Sequence, residues 1–356
     1  MDNYSIMMHK NPRAVATAWD YVASAVGRLS LNGQTAGLGP GPVRPGDCLL
    51  VRTLHTNPGY DRLELAGGEM VVLRPGDTLV GVAGTRQALR GFVGTAPERV
   101  KRGDKLSLLS LGGIVGSFQG GLLDLGAPTT VEVIDRLGQN GRPHSLTEGA
   151  IAPRGTLDGK CPVVAVVGTS MGAGKTRAAS ELVAGAWQAG IRVAAVKLTG
   201  VACLKDTLDM RARGAFEAIS FLDAGLASTV DQPNLVSYVN GLFHHLNETN
   251  PDLIVAELGD GIIGPYGVDR LLQDPIFNRA IGALVLSASD HVGAWGGVEL
   301  LRRWGLRVDV ITGPVTDSTA ACKMVEQQLS VPAVNACSDG PRLFPIVRSR
   351  LFPEKS

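Results

Sequence analysis

The stretch Val163-Val164-Ala165-Val166-Val167-Gly168-Thr169-Ser170-Met171-Gly172-Ala173-Gly174-Lys175-Thr176 decides how this chain is read. An apolar, β-branched run ends in a glycine-rich turn, and Lys-Thr then opens a helical pattern from Arg177 to Gln188. Strand, loop and helix in that order are the context a phosphate-binding loop requires. Small residues let backbone N–H groups wrap phosphate oxygens, and the helix N-terminus adds partial positive charge. Nucleotide contacts are therefore expected from Gly168 through Arg177. Lys175 would supply a point charge to the β- and γ-phosphates, and the Thr176 hydroxyl would ligate Mg²⁺. Five residues lie between Gly168 and Gly174, where the common form has four.

Downstream of this loop, strand and helix alternate. Strands are expected at 162–167, 191–197, 252–257, 283–288, 307–312 and 332–335, and helices at 175–189, 204–222, 234–247, 293–305 and 318–329. Nearly continuous apolar strands in such an alternation predict a mostly parallel sheet covered on both faces. Ligands bind beyond the carboxyl ends of its strands. Lys197 ends the second strand and would neutralise a phosphate or a phosphorylated intermediate. Glu257 ends the next strand after four apolar residues, where a carboxylate is costly to bury without a partner such as Mg²⁺. Asp206 is the third metal-site candidate, with Asp209 behind it. Asp260 suits a turn role equally well.

Upstream, apolar residues at Val15, Trp19, Val22, Val26 and Leu29 fit one face of a helix, so 1–30 is expected as an N-terminal helical segment. An all-β pattern follows over 31–138. Three of its segments are alike: Arg44-Pro45-Gly46-Asp47, Arg74-Pro75-Gly76-Asp77 and Lys101-Arg102-Gly103-Asp104. Turn chemistry accounts for them, and their recurrence suggests a small barrel or sandwich. The Gly- and Pro-rich stretch 139–160 is expected as a linker, and 161–356 as the phosphate-loop domain. The fold class is thus α/β: a C-terminal P-loop NTPase domain with a mostly parallel sheet, preceded by a small all-β domain.

The string GTSMGAGKT resembles the phosphate loop of dethiobiotin synthetase, including its spacing. VKLTGVA is similar to that family's lysine-bearing second strand, and Glu257-Leu258-Gly259-Asp260-Gly261 to its Glu-Gly turn. The resemblance implies that Lys175 and Lys197 hold phosphate oxygens and that Thr176 and Glu257 hold Mg²⁺. That family's loop aspartate is Ser170 here, and its members lack the N-terminal β region. The segment from Asp206 to Ala215 also resembles molybdopterin-guanine dinucleotide adaptor proteins, which favours Asp206 over Asp209. A P-loop family linked to D-glutamate metabolism has a similar loop and Glu-Gly turn.

At 356 residues, with 44% hydrophobic and 19% charged residues, the chain has ample core for two domains. A net charge of +1 and 5% aromatic residues argue against nucleic acid and acidic membranes as partners. Five scattered cysteines without C-x-x-C spacing, and no visible signal peptide, predict a cytoplasmic protein. The expected cofactors are ATP and Mg²⁺. ATP is favoured over GTP because no Asn-Lys-x-Asp string occurs. The implied activity is a ligase that phosphorylates a carboxylate or carbamate of a small, amino-acid-like metabolite. A nucleotide-dependent regulator and an amino-acid N-acyltransferase are the alternatives, and self-association is left open.

Overall fold

The computed structural model describes residues 19–31, 35–157 and 159–352. Five strands form the N-terminal ring: β1 (Cys48–His55), β2 (Thr78–Ala83), β3 (Lys105–Leu108), β4 (Ile114–Gly121) and β5 (Thr130–Gln139). Antiparallel pairing runs β2–β1–β5–β3–β4, and the parallel pairs Ile114↔Val82 and Val115↔Ala83 close the ring. In all three Gly-Asp turns the aspartate accepts the backbone N–H three residues earlier, at 2.8, 2.7 and 2.8 Å for Asp47, Asp77 and Asp104. Gly46, Gly76 and Gly103 sit at φ +95°, +100° and +89°, which a side chain would oppose. They are turns, each leading towards a ring strand.

Alternation along β1 sorts its residues between two cores. Leu49 and Val51 join Leu79, Leu108, Val115 and Val131 in one cluster. Cys48 and Leu50 face the other way, towards Ala202, Phe221, Leu222 and Leu226 of the C-terminal region. The ring and the α/β region therefore share an apolar core.

The expected helix at 1–30 is not present in its described part; residues 1–18 lie outside the described residues. Tyr21–Val22 is a short strand beside Leu79 and Val80, and Ser24–Val26 is a single 3-10 turn. The Asp20 and Ala23 N–H groups bond Thr78 and Val80 carbonyls, so the edge of β2 captures a segment whose spacing alone suits a helix. The stretch expected as a linker is also largely fastened. His144 and Leu146 are buried, Arg28 bonds the Leu146 and Glu148 carbonyls, and the Arg154 N–H bonds Ser237.

The C-terminal sheet contains β6 (Val163–Gly168), β7 (Val193–Thr199), β8 (Glu217–Ser220), β9 (Leu253–Leu258), β10 (Ile281–Ser287) and β11 (Val310–Thr312). It is wholly parallel in the order β8–β7–β9–β6–β10–β11. The main helices are α1 (Lys175–Gln188), α2 (Lys205–Ala212), α3 (Leu235–Glu248), α4 (His291–Arg303), α5 (Thr319–Leu329) and α6 (Leu343–Leu351). Val163, Ala165 and Val167 face a core with Leu242 and Phe243 of α3, whereas Val164 and Val166 face Leu182 of α1 and Phe344 of α6. A strand buried on both faces explains the continuous apolar run that opened the sequence reading.

Two expected elements differ. The helix at 204–222 stops at Ala212, because Gly214 at φ +111° ends it and a Cβ there would lie 2.5 Å from the Trp187 side chain. Glu217–Ser220 then becomes the edge strand beside β7. The segment 332–335, expected as a strand, pairs with the sheet only through the bridge Ile311↔Ala333 and otherwise packs its side chains against it. Helix α6, which periodicity did not mark, buries Phe344 against Gly185 of α1. Phe344→Ala should destabilise the fold by about 3–5 kcal/mol, a typical cost of emptying a buried aromatic site. Denaturant unfolding checks this, and a loss below about 1 kcal/mol would show that α6 is not a core element.

Candidate functional site

Strands β6, β7 and β9 end side by side at one rim, and this is what assembles the site. Register puts Lys197 opposite Glu257, and Glu257 opposite Val166 two residues before the loop. The loop after β6 is tied down on both flanks. The Thr169 N–H donates to the Ser287 carbonyl at 2.9 Å, the Ile262 N–H to Gly168 at 2.8 Å, and the Ser170 and Ser289 hydroxyls lie 2.8 Å apart. Gly172 and Gly174 hold positive φ, as the loop's curl requires. Ala173 is buried against Gly313, where any Cβ would meet the Ala173 carbonyl at 2.3 Å. Met171 lies on the other side, lining a cavity towards the ring.

Lys175 is only 6% exposed. Its ammonium donates to the Ser170 carbonyl at 2.9 Å, and its stem packs so closely on Gly168 that a Cβ there would sit 2.9 Å away. Burial is the largest influence on this ammonium and lowers its pKa to about 8, opposed by the Glu257 and Asp260 carboxylates. The Thr176 hydroxyl lies 3.0 Å from Glu257 Oε1 and 3.2 Å from Asp206 Oδ1. Asp206 also pairs with Lys197, and both side chains are largely buried. Thr176, Asp206, Glu257, Lys175 and Lys197 thus occupy one rim.

Two residues fall elsewhere. Asp209 accepts the Ser180 hydroxyl at 2.5 Å on the flank of α1. Arg177 turns from the loop to the Ala336 carbonyl at 3.2 Å and to Glu181 at 2.9 Å. Its guanidinium is a brace between α1 and the C-terminal segment.

The rim fits a hard cation on its own chemistry. Glu257 Oε2 is buried with no hydrogen-bond partner, an arrangement that costs roughly 1–3 kcal/mol unless something else satisfies it. With Asp206 and the Thr176 hydroxyl it forms an oxygen donor set of the kind Mg²⁺ takes together with water and phosphate.

Sequence reasoning missed Glu64. Its buried carboxylate accepts the Ser24 hydroxyl, the Cys203 thiol at 3.3 Å and the Leu204 N–H at 2.7 Å. Glu64 therefore pins the start of α2, and with it Asp206, to the N-terminal region. Only its short strand pairing, Arg62–Glu64 with Met70–Val72, hints at it, and nothing in the sequence marks its partner.

The sequence matches no protein-family model and no curated protein. Similar solved structures include chloroplast FtsY from Physcomitrella patens, 16% identical with a TM-score of 0.37 over 58% of this chain and 70% of that one. A DUF1611 family protein from Anabaena variabilis is 15% identical with a TM-score of 0.38, over 56% of this chain and 63% of that one. Hydrogenase maturation factor HypB from Archaeoglobus fulgidus is 17% identical with a TM-score of 0.36, over 54% of this chain and 91% of that one. Among the described residues no helix is long and apolar enough to cross a membrane.

Proposed function

We propose that the chain is an ATP- and Mg²⁺-dependent enzyme that transfers a phosphoryl group to the carboxylate or carbamate of a small metabolite, a ligase-like step before amide or ring formation. The observation that carries this reading is the buried Glu257, with one oxygen on the Thr176 hydroxyl, the other unpartnered, and Lys197 beside it in register. One oxygen of that buried carboxylate is thus left for a cation. When bound, Mg²⁺ neutralises charge on the transferring phosphoryl oxygens. Lys175 is placed to exchange the Ser170 carbonyl for a phosphate oxygen. Lys197, shared with Asp206, is placed to hold charge on the acceptor side.

A slow nucleotide-dependent regulator is the second reading, supported by the apolar core that joins the rim loops to the ring. Thermal unfolding with Mg²⁺ and each nucleotide tests the common premise. A ligand at 100 times its Kd should add about 2.7 kcal/mol of stability. Absence of a shift with every Mg²⁺–nucleotide pair would overturn both readings. ATP turnover that responds to carboxylates supports the enzyme over the regulator.

A further inference from the structure

A cavity of about 210 Å³ lies where the N-terminal ring meets the rim, lined by Tyr60, Arg86, Lys197, Cys203, Asp260 and Tyr266 among others. That is room for several waters or a small metabolite. It is built around opposite charges that do not satisfy each other. Arg86 is 7% exposed; it donates to the Tyr60 hydroxyl at 2.8 Å and to the Leu109 carbonyl, while its buried Nε has no acceptor. Both carboxylate oxygens of Asp260 are buried with no side-chain hydrogen-bond donor, although the Gly261 N–H and the charges of Lys175 and Arg86 act on them, and the backbone is held at φ +72°. Buried ionic groups left open in this way are costly unless a ligand completes them.

We propose that this cavity binds a small amino-carboxylate, its carboxylate on Arg86 and its ammonium on Asp260, with the remainder directed towards Lys197 and the phosphate loop. A dipolar ligand completes both groups at once. A plain carboxylate leaves Asp260 unpaired, and a plain amine leaves Arg86 unpaired. Burial raises the pKa of the Asp260 carboxyl, and a cation against it offsets that cost. The Tyr266 hydroxyl accepts the Gln87 N–H at 3.2 Å, and burial raises its pKa to about 12, so its own proton remains available to a ligand carboxylate. The Cys203 thiol donates to Glu64 at 3.3 Å. Arg86 comes from the N-terminal region, which gives the ring a share in the acceptor site. The proposal deepens the phosphoryl-transfer reading and rests on it only for the chemistry done to the ligand, since binding itself needs no nucleotide.

The test uses the full-length protein. Calorimetry and thermal unfolding are run with each of the protein amino acids and their enantiomers, then with the desamino acid and the carboxamide of any that bind. The expected result is binding by at least one amino acid, with each single-group analogue weaker by about tenfold or more, on the scale of one lost charge-assisted hydrogen bond. Arg86→Gln and Asp260→Asn should each weaken binding by a similar factor. Asp260 bonds no other side chain, and asparagine keeps an oxygen for the Gly261 N–H, so Asp260→Asn keeps the test valid if Arg86→Gln does not fold. Failure of every amino acid to bind overturns the proposal, as does an analogue that binds equally well or an unchanged affinity in Asp260→Asn. Wild-type protein that binds Mg²⁺–ATP but no amino acid sinks this inference alone, whereas amino-acid binding without nucleotide binding sinks the phosphoryl-transfer reading alone.

Discussion

Lys175→Ala should lower nucleotide turnover by roughly two to three orders of magnitude, the usual cost of removing one preorganised electrostatic stabiliser. The side chain opens α1 and closes back over its own loop, donating to the Ser170 carbonyl while its stem covers Gly168. Truncation to alanine therefore removes both a charge and a packed stem. Lys175→Met separates them, because it keeps an aliphatic chain of similar length but no ammonium. Both variants should lose turnover, and only the alanine variant should also lose measurable stability in denaturant. Wild-type turnover in Lys175→Met would show that the ammonium holds the loop and has no phosphate to stabilise.

Glu257→Gln should raise the Mg²⁺ concentration for half-maximal turnover by on the order of 10–100-fold and slow the saturated rate. The basis for that scale is the loss seen when groups supporting a metal site are changed. Glutamine keeps the size of the side chain and an oxygen for the Thr176 hydroxyl, now at 3.0 Å from Oε1, but removes the negative charge. It also places an amide N–H₂ where a buried oxygen has no partner in the present structure. Nucleotide should still bind through the loop backbone. A Mg²⁺ titration of ATP turnover, run beside wild type, decides the matter. Unchanged half-saturation and rate would leave Glu257 as a buried strand residue and remove the central support for the proposed function.

The covalent order of the chain determined the part of the site that is local. Strand, loop, Lys175 and Thr176 are contiguous, and a run buried on both faces of a parallel sheet must be continuously apolar, so β6 and its loop were legible from pattern alone. Lys197 and Glu257 were legible for a related reason: each ends an apolar strand, and parallel strands bring their carboxyl ends to one rim. Three features were decided only by tertiary structure. From Trp19 to Leu29 the helical spacing gave way to strand pairing, because the edge of β2 at Leu79 and Val80 offered hydrogen bonds that spacing cannot reveal. Glu217–Ser220 became the edge strand beside β7 because Gly214 ended α2 early and freed that segment to pair, while 332–335, at the opposite edge, makes only one bridge to β11. Arg86 and Glu64 carry no signature spacing. Their roles arise because the ring closes and packs on the rim, bringing side chains more than a hundred residues from Leu204 and Asp260 into the same buried space, where an unpaired charge or a buried acceptor acquires its energetic weight.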